Sequence, residues 1–178
     1  MSKRISEIHV HIAGFPVTPG ISSGFYQAEE EALSVPIVHS EPRPRFHSAL
    51  DADGVSLQCD KHGRLIFVQI RKPRRLWIGS KGIASTPAPA TDIRFLDFRR
   101  RIPEPEYLCD RLKNRLLIKF GEVTSSDSFR ISDNVLALVY RKTILRGLFI
   151  DYLNLDRAGR SLAKWRRVVA GGSSIKKP

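Results

Sequence analysis

Two stretches of the chain, eighty residues apart, place turn residues and apolar residues in the same order, and this limits the fold more than any other feature. The first reads DADGVSLQCDKHGRLIFVQI and ends at Ile70; the second reads RISDNVLALVYRKTILRGLFI and ends at Ile150. Asp53-Gly54-Val55 aligns with Asp133-Asn134-Val135 without a gap. Upstream, ALSVPIV from Ala32 lies opposite RLLIKFG from Arg115 after a small change in loop length. Self-similarity at one fixed offset reads as an internal duplication.

Each copy reads as a set of short strands. Val55, Leu57 and Cys59 alternate along one face, the period of a half-buried strand. Asp60-Lys61-His62-Gly63 is then a hairpin turn in which Gly63 takes a positive φ. Residues 65–70 are apolar on both faces apart from Gln69, as expected of a central strand. Residues 135–140 and 145–153 play the same parts in the second copy, and 8–13, 93–96 and 116–120 read as further strands. The stretch GSKGIASTPAPAT replaces core-building residues with Gly, Ser, Pro and Ala, which marks a linker over 79–91. The predicted class is mainly β (α+β): two similar antiparallel β units, 1–78 and 92–153, from an internal duplication, plus a C-terminal amphipathic helix.

The stretch DGVSLQCDKHGRLIFVQI, and more loosely DNVLALVYRKTILRGLFIDYL, resembles the short bacterial domains grouped as domain of unknown function 2283. In that family an apolar strand ending in Phe precedes a DGV strand and a third strand like DGRLVGIEIL; NRLLIKFGE supplies the early strand here. The chain departs from the pattern at Thr143, which replaces the turn glycine, and in a basic rather than acidic surface. The resemblance implies a small β-rich unit. It implies no activity and carries over no catalytic residue.

The C-terminal segment has a different period. In NLDRAGRSLAKWRRVV, from Asn154, the residues Ala158, Leu162, Trp165 and Val169 recur as one apolar helical stripe. Arg157, Arg160, Lys164 and Arg167 form a second stripe on roughly the opposite face. Asn154 or Asp156 caps the start of a helix over 154–170, and Gly171-Gly172 ends it before a flexible tail, 171–178. Gly159 weakens the helix by about 1 kcal/mol relative to Ala, so it depends on packing. The plain reading packs Leu162 and Trp165 on a sheet and leaves the basic stripe in water. The functional reading sets that stripe against phosphates. An apolar face of four residues is weak for a membrane-surface helix.

Charge sharpens the second reading. Lys and Arg number 30 against 18 Asp and Glu, a formal net charge of +12. Residues 1–89 carry 11 basic and 8 acidic side chains, and residues 90–178 carry 19 and 10. From Arg157 onward there are seven basic residues and no acidic one. Arg71, Lys72, Arg74 and Arg75 lead into Leu76 and Trp77, and Phe98 leads into Arg99, Arg100 and Arg101. Basic clusters beside aromatics are what a single-stranded nucleic acid needs, charge for phosphates and a ring for a base. Charge at strand ends also guards open edges. RNA-binding aromatic motifs, glycine clamps and zinc-finger spacings do not occur in the sequence.

Catalytic and metal motifs are weaker still. His9 and His11 share a strand face without a third ligand at a telling spacing. Cys59 and His62 form half of a zinc motif, but Cys109 has no nearby Cys or His to complete it, and Cys59 follows Val55 and Leu57 into the core. Glu29-Glu30-Glu31 and the pair Asp51/Asp53 lack a His or Lys partner for acid–base work. Gly79-Ser80-Lys81-Gly82 is too short for a phosphate loop and leads into no helix. Two cysteines make no disulfide framework, no apolar run spans a membrane, and the N-terminus has no apolar signal core, which together predict a cytoplasmic protein. The expectation is a non-enzymatic binding protein without metal or small-molecule cofactor, engaging a protein partner or itself. The alternatives are nucleic-acid or other polyanion binding, and a small hydrolase whose site is assembled from scattered residues.

Overall fold

The computed structural model describes residues 7–14, 18–39, 45–84, 86–97 and 100–151. The helix expected over 154–170, with Arg157, Arg160, Lys164 and Arg167, and the tail over 171–178 lie outside the described residues. The protein is mainly β and forms two sheets. Its strands in chain order are β1 (Ile8–Gly14), β2 (Ile21–Ser22), β3 (Phe25–Gln27), β4 (Ala32–Val38), β5 (Ser48–Ala52), β6 (Val55–Cys59), β7 (Leu65–Ile70) and β8 (Ile78–Gly79). They continue as β9 (Asp92–Phe95), β10 (Arg100–Arg101), β11 (Glu106–Cys109), β12 (Arg115–Lys119), β13 (Asp127–Ser132), β14 (Val135–Tyr140) and β15 (Ile144–Asp151). A 3-10 turn, Arg74–Leu76, precedes β8.

The seven-stranded sheet runs β10-β5-β6-β7-β4, with β2 and β3 both on the far side of β4. The eight-stranded sheet runs β13-β14-β15-β12-β11-β8, with β1 pairing β15 and carrying β9. The two share a local plan. Strands β5-β6-β7 form a meander whose last strand pairs with the earlier β4, and β4 pairs with β3; β13-β14-β15, β12 and β11 repeat this arrangement. Ile70 is flanked by Val55 and Leu33, and Ile150 by Val135 and Leu116. A register shift falls between Gln58 and Cys59 in one meander and between Leu138 and Val139 in the other. The N–H of Arg71 donates to Gly54 O at 2.8 Å, and that of Asp151 to Asn134 O at 2.9 Å.

The two differ at the second turn, and β13–β14 carries a register shift between Arg130 and Ser132 where β5–β6 has none. In the first meander Gly63 carries the positive φ, +76°; in the second Arg141 and Lys142 carry it, at 50° and 60°. That shift is why Thr143 serves where the first copy has glycine.

The inner faces of both sheets meet in one apolar core. It joins Leu33, Val35, Leu57 and Val68 from one sheet to Leu116, Ile118, Ala137 and Leu148 from the other. The halves also exchange strands. β1, from the first eighty residues, pairs with β15 where β12 ends, and then with β9. β10 pairs with β5 in the other sheet. Residues 79–91, read as a linker, contribute Gly79 to β8 and lay Pro89 and Thr91 along β13, where Arg130 N donates to Pro89 O at 2.8 Å and Thr91 N to Arg130 O at 3.0 Å. No helix among the described residues is long and apolar enough to cross a membrane.

At the end of β4, His39 Nε2 donates to Leu65 O at 2.8 Å. Burial, with the Arg64 charge adding to it, holds the His39 imidazole below the ordinary value despite that bond and the nearby carboxylates. The unfolded chain therefore takes the proton first. His39 supports full stability above pH about 6.5 and withdraws that support as the pH falls toward its lower folded value. Urea unfolding is expected to show lower stability at pH 5 than at pH 7, and His39→Gln is expected to flatten this difference. An unchanged pH profile in the variant would count against the buried imidazole.

Candidate functional site

The two-residue turn Asp53-Gly54 gathers part of the basic sequence. Gly54 has φ +88°, and an added Cβ would lie 3.0 Å from Tyr107 Oη and 3.3 Å from Lys72 Cβ. Tyr107 Oη donates to Asp53 O at 3.3 Å, and burial pushes its phenol up. Arg101 pairs with Asp53 at 3.3 Å, and Lys72 pairs with Glu104 at 2.9 Å while lying 5.9 Å from the Tyr107 ring centre. Arg71 donates to Gln69 Oε1 at 3.3 Å. Arg71, Lys72 and Arg101 are thus brought to one corner, and carboxylates arrive with them. Arg100 lies on β10 opposite Leu50, and Arg99 lies outside the described residues.

Beside this corner, on the outer face of the seven-stranded sheet, a cavity of about 390 Å³ is lined by Asp51, Asp53, Ser56, Gln58, Gln69 and Arg71 with the backbone of the turn. The lining offers hydrogen bonds and both signs of charge, but no imidazole, thiol or amine. Across the β5–β6 ladder the lining sets Ser56 opposite Asp51. Both thiols are buried and free. Burial pushes Cys59 up, with the Asp60 charge adding to it. Burial also pushes Cys109 up, against Lys113 and Arg74. His9 and His11 share the exposed face of β1, where His9 N donates to Asp97 Oδ2 at 2.8 Å. Among the described residues no group of three His, Cys, Asp or Glu side chains is placed to hold a metal.

The rest of the 71–77 run turns to a different corner. Arg74 donates to Lys113 O at 3.0 Å and Leu112 O at 3.4 Å, and its guanidinium sits 5.2 Å from the Tyr26 ring centre. Lys113 Nζ returns a bond to Arg74 O at 2.8 Å. Arg75 pairs with Glu31 at 3.2 Å. Trp77, expected as a ring for stacking a base, is 4% exposed. Its indole N–H donates to Lys72 O at 2.9 Å, and its ring meets Tyr26 edge-to-face at 6.1 Å. A ring so enclosed presents no face to a base.

Three residues outside the expected set are the exposed large apolar side chains of this corner. Leu76, Ile78 and Leu112 are 49%, 58% and 70% exposed. Asp110 positions Leu112. Its Oδ1 accepts the N–H of Asn114 at 2.8 Å and of Arg115 at 2.9 Å, and Lys113 closes the turn at φ +56°. Arg74 ties that turn to the 3-10 turn bearing Leu76. Ile78 ends an in-register apolar row across the outer face of the eight-stranded sheet, from Leu136 through Phe149, Leu117 and Leu108. Leu136 and Phe149 are buried, Leu117 and Leu108 half-buried, and Ile78 exposed. β8 has no further strand beyond it among the described residues. A short, open edge with exposed apolar side chains at and beside it is a surface suited to being covered.

Compared with known protein families and with curated proteins, the chain matches none of either. The likeness to domain of unknown function 2283 therefore rests on the two quoted stretches alone.

Proposed function

We propose that the chain is a non-enzymatic protein-binding module, built from a duplicated β unit, that takes its partner at the β8 edge. The observation that carries this reading is the exposure of Leu76, Ile78 and Leu112, at 49%, 58% and 70%, at the β8 edge and on the Asp110 turn that Arg74 ties to it. Preorganised apolar side chains bind with little ordering cost, and a few such anchors supply most of an interface's affinity. The polyanion reading gains less from the fold, because Lys72, Arg75 and Arg101 are already paired with Glu104, Glu31 and Asp53. The duplication is supported by the shared strand order, the matched neighbours of Ile70 and Ile150, and the register shift at one equivalent place. Two free buried thiols fit a reducing compartment, and the cytoplasm is the proposed location.

A photo-reactive side chain tests the edge directly. With Ile78→p-benzoylphenylalanine, irradiation of the full chain in its host cell is expected to give a discrete protein adduct. The same group at Gln58, on the other sheet, is expected to give none. Adducts of equal yield at both positions, or none at Ile78, would overturn the reading.

A further inference from the structure

We infer that the outer face of the eight-stranded sheet, over β14, β15 and β12, is the docking surface for the chain's own residues 154–170, laid down as the helix their period predicts. Burial points to a cover. Val135, Ala137, Leu148, Ile150, Leu116 and Ile118 face the core between the sheets. Leu136, Phe149 and Leu117 alternate with them on the opposite side, in register across three strands, and join no apolar cluster among the described residues. Yet Leu136 is 3% exposed and Phe149 5%. A side chain on a bare sheet face keeps one side in water, which neighbours in the same sheet do not remove. The cover fades along the row, since Leu117 and Leu108 are half-buried and Ile78 is exposed. It therefore lies over β14 and β15 and stops short of β8, whether or not that edge takes a partner.

The sequence names the occupant. Leu136 and Phe149 are buried within the single chain, so neither a second copy nor another protein supplies the cover. Outside the described residues, the stretches 1–6, 15–17, 40–44, 85 and 98–99 hold at most two bulky apolar side chains each. Residues 154–170 hold Leu162, Trp165 and Val169 in one stripe with Ala158. Their place in the chain suits the face as well, because β15 ends at Asp151, two residues past Phe149. A helix over 154–170 is about 25 Å long, and β14, β15 and β12 lie within about 10 Å, so it crosses all three. With the apolar stripe on the sheet, Arg157, Arg160, Lys164 and Arg167 stand in water and pay no desolvation.

A photo-reactive group on this face tests the assignment. In the purified full chain with Leu117→p-benzoylphenylalanine, irradiation is expected to give an adduct of monomer mass that maps within 154–170. Adding Leu162→Asp with Trp165→Asp is expected to remove that adduct. An adduct of dimer mass would make a second copy the occupant and overturn the assignment, as would an adduct elsewhere in the chain or one that survives both aspartates. Hydrogen exchange in the natural chain needs no substitution. Amides over 154–170 are expected to exchange about tenfold or more slowly than in the urea-unfolded chain. Exchange at the unfolded rate would overturn the assignment whatever the adduct shows.

Discussion

Gly63→Ala is expected to lower the stability of the protein by about 2–5 kcal/mol, a large effect for a single methyl group. Gly63 closes the hairpin between β6 and β7 at φ +76°, a conformation that costs a residue with a Cβ. The methyl would also lie 2.4 Å from Phe95 O, on the strand that links this hairpin to β1. Phe95 N donates to Gly63 O at 2.7 Å, so the two backbones cannot part without losing that bond. Gly82→Ala separates the two costs. Gly82 has φ +82° with nothing within 4 Å of an added Cβ, and its loss is expected to stay near ~1 kcal/mol from conformation alone. Urea midpoints of both variants check this at constant m-value. Equal losses would show that the approach of Phe95 carries no weight.

Asp60→Ala is expected to cost about 3–5 kcal/mol, because it removes one member of a buried ion pair. Asp60 and Arg64 are both buried, with Arg64 Nε donating to Asp60 Oδ2 at 2.7 Å. The other oxygen accepts the N–H of His62 at 2.8 Å and of Arg64 at 3.0 Å, which shapes the turn that presents Gly63. Burial opposes the charge on Asp60, but the Arg64 N–H, its guanidinium and the His62 N–H outweigh burial and hold the carboxyl below its ordinary range. A carboxyl lowered by folding binds protons less readily than in the unfolded chain. Its contribution is whole above pH about 3.9 and is lost as the pH falls through the lower folded value. Asp60→Asn, which keeps the shape without the charge, is expected to trail the natural protein at pH 7 and converge with it in acid. A gap that persists undiminished at low pH would contradict the ion pair.

Much of the strand layout is legible in the residues, because alternation and turn chemistry are local. Val55–Cys59, Leu65–Ile70 and Val135–Tyr140 form strands with the bounds their apolar spacing predicts. Ser48–Ala52 escapes that reading because SALDA mixes small residues and an aspartate with low strand preference. Glu106–Cys109 is four residues between a proline-rich approach and the Asp110 turn, too short to show a period. Alternation marks a strand but does not name its neighbour, so the pairing of β1 with β15 has no local signal.

The candidate site was less legible, for the same reason. Glu104, Asp53 and Glu31, which neutralise Lys72, Arg101 and Arg75, lie more than thirty residues away in sequence. Trp77 reads as an exposed ring after a basic run until Tyr26, from β3, closes over it. Leu76 and Ile78 flank Trp77 in a short apolar run and Leu112 stands alone between Arg111 and Lys113, and it takes the pairing of β8 with β11 to set Ile78 beside Leu108.

The protein-binding edge meets its most direct test in a titration of the purified partner identified by the Ile78 adduct. The full chain is compared with a folded variant carrying Leu76→Ser, Ile78→Ser and Leu112→Ser. Loss of three apolar anchors is expected to weaken binding by about 100-fold or more, with the urea midpoint unchanged. Equal affinity in the two proteins, or binding that collapses instead in Arg71→Glu with Lys72→Glu and Arg101→Glu, would contradict the β8 edge as the binding surface.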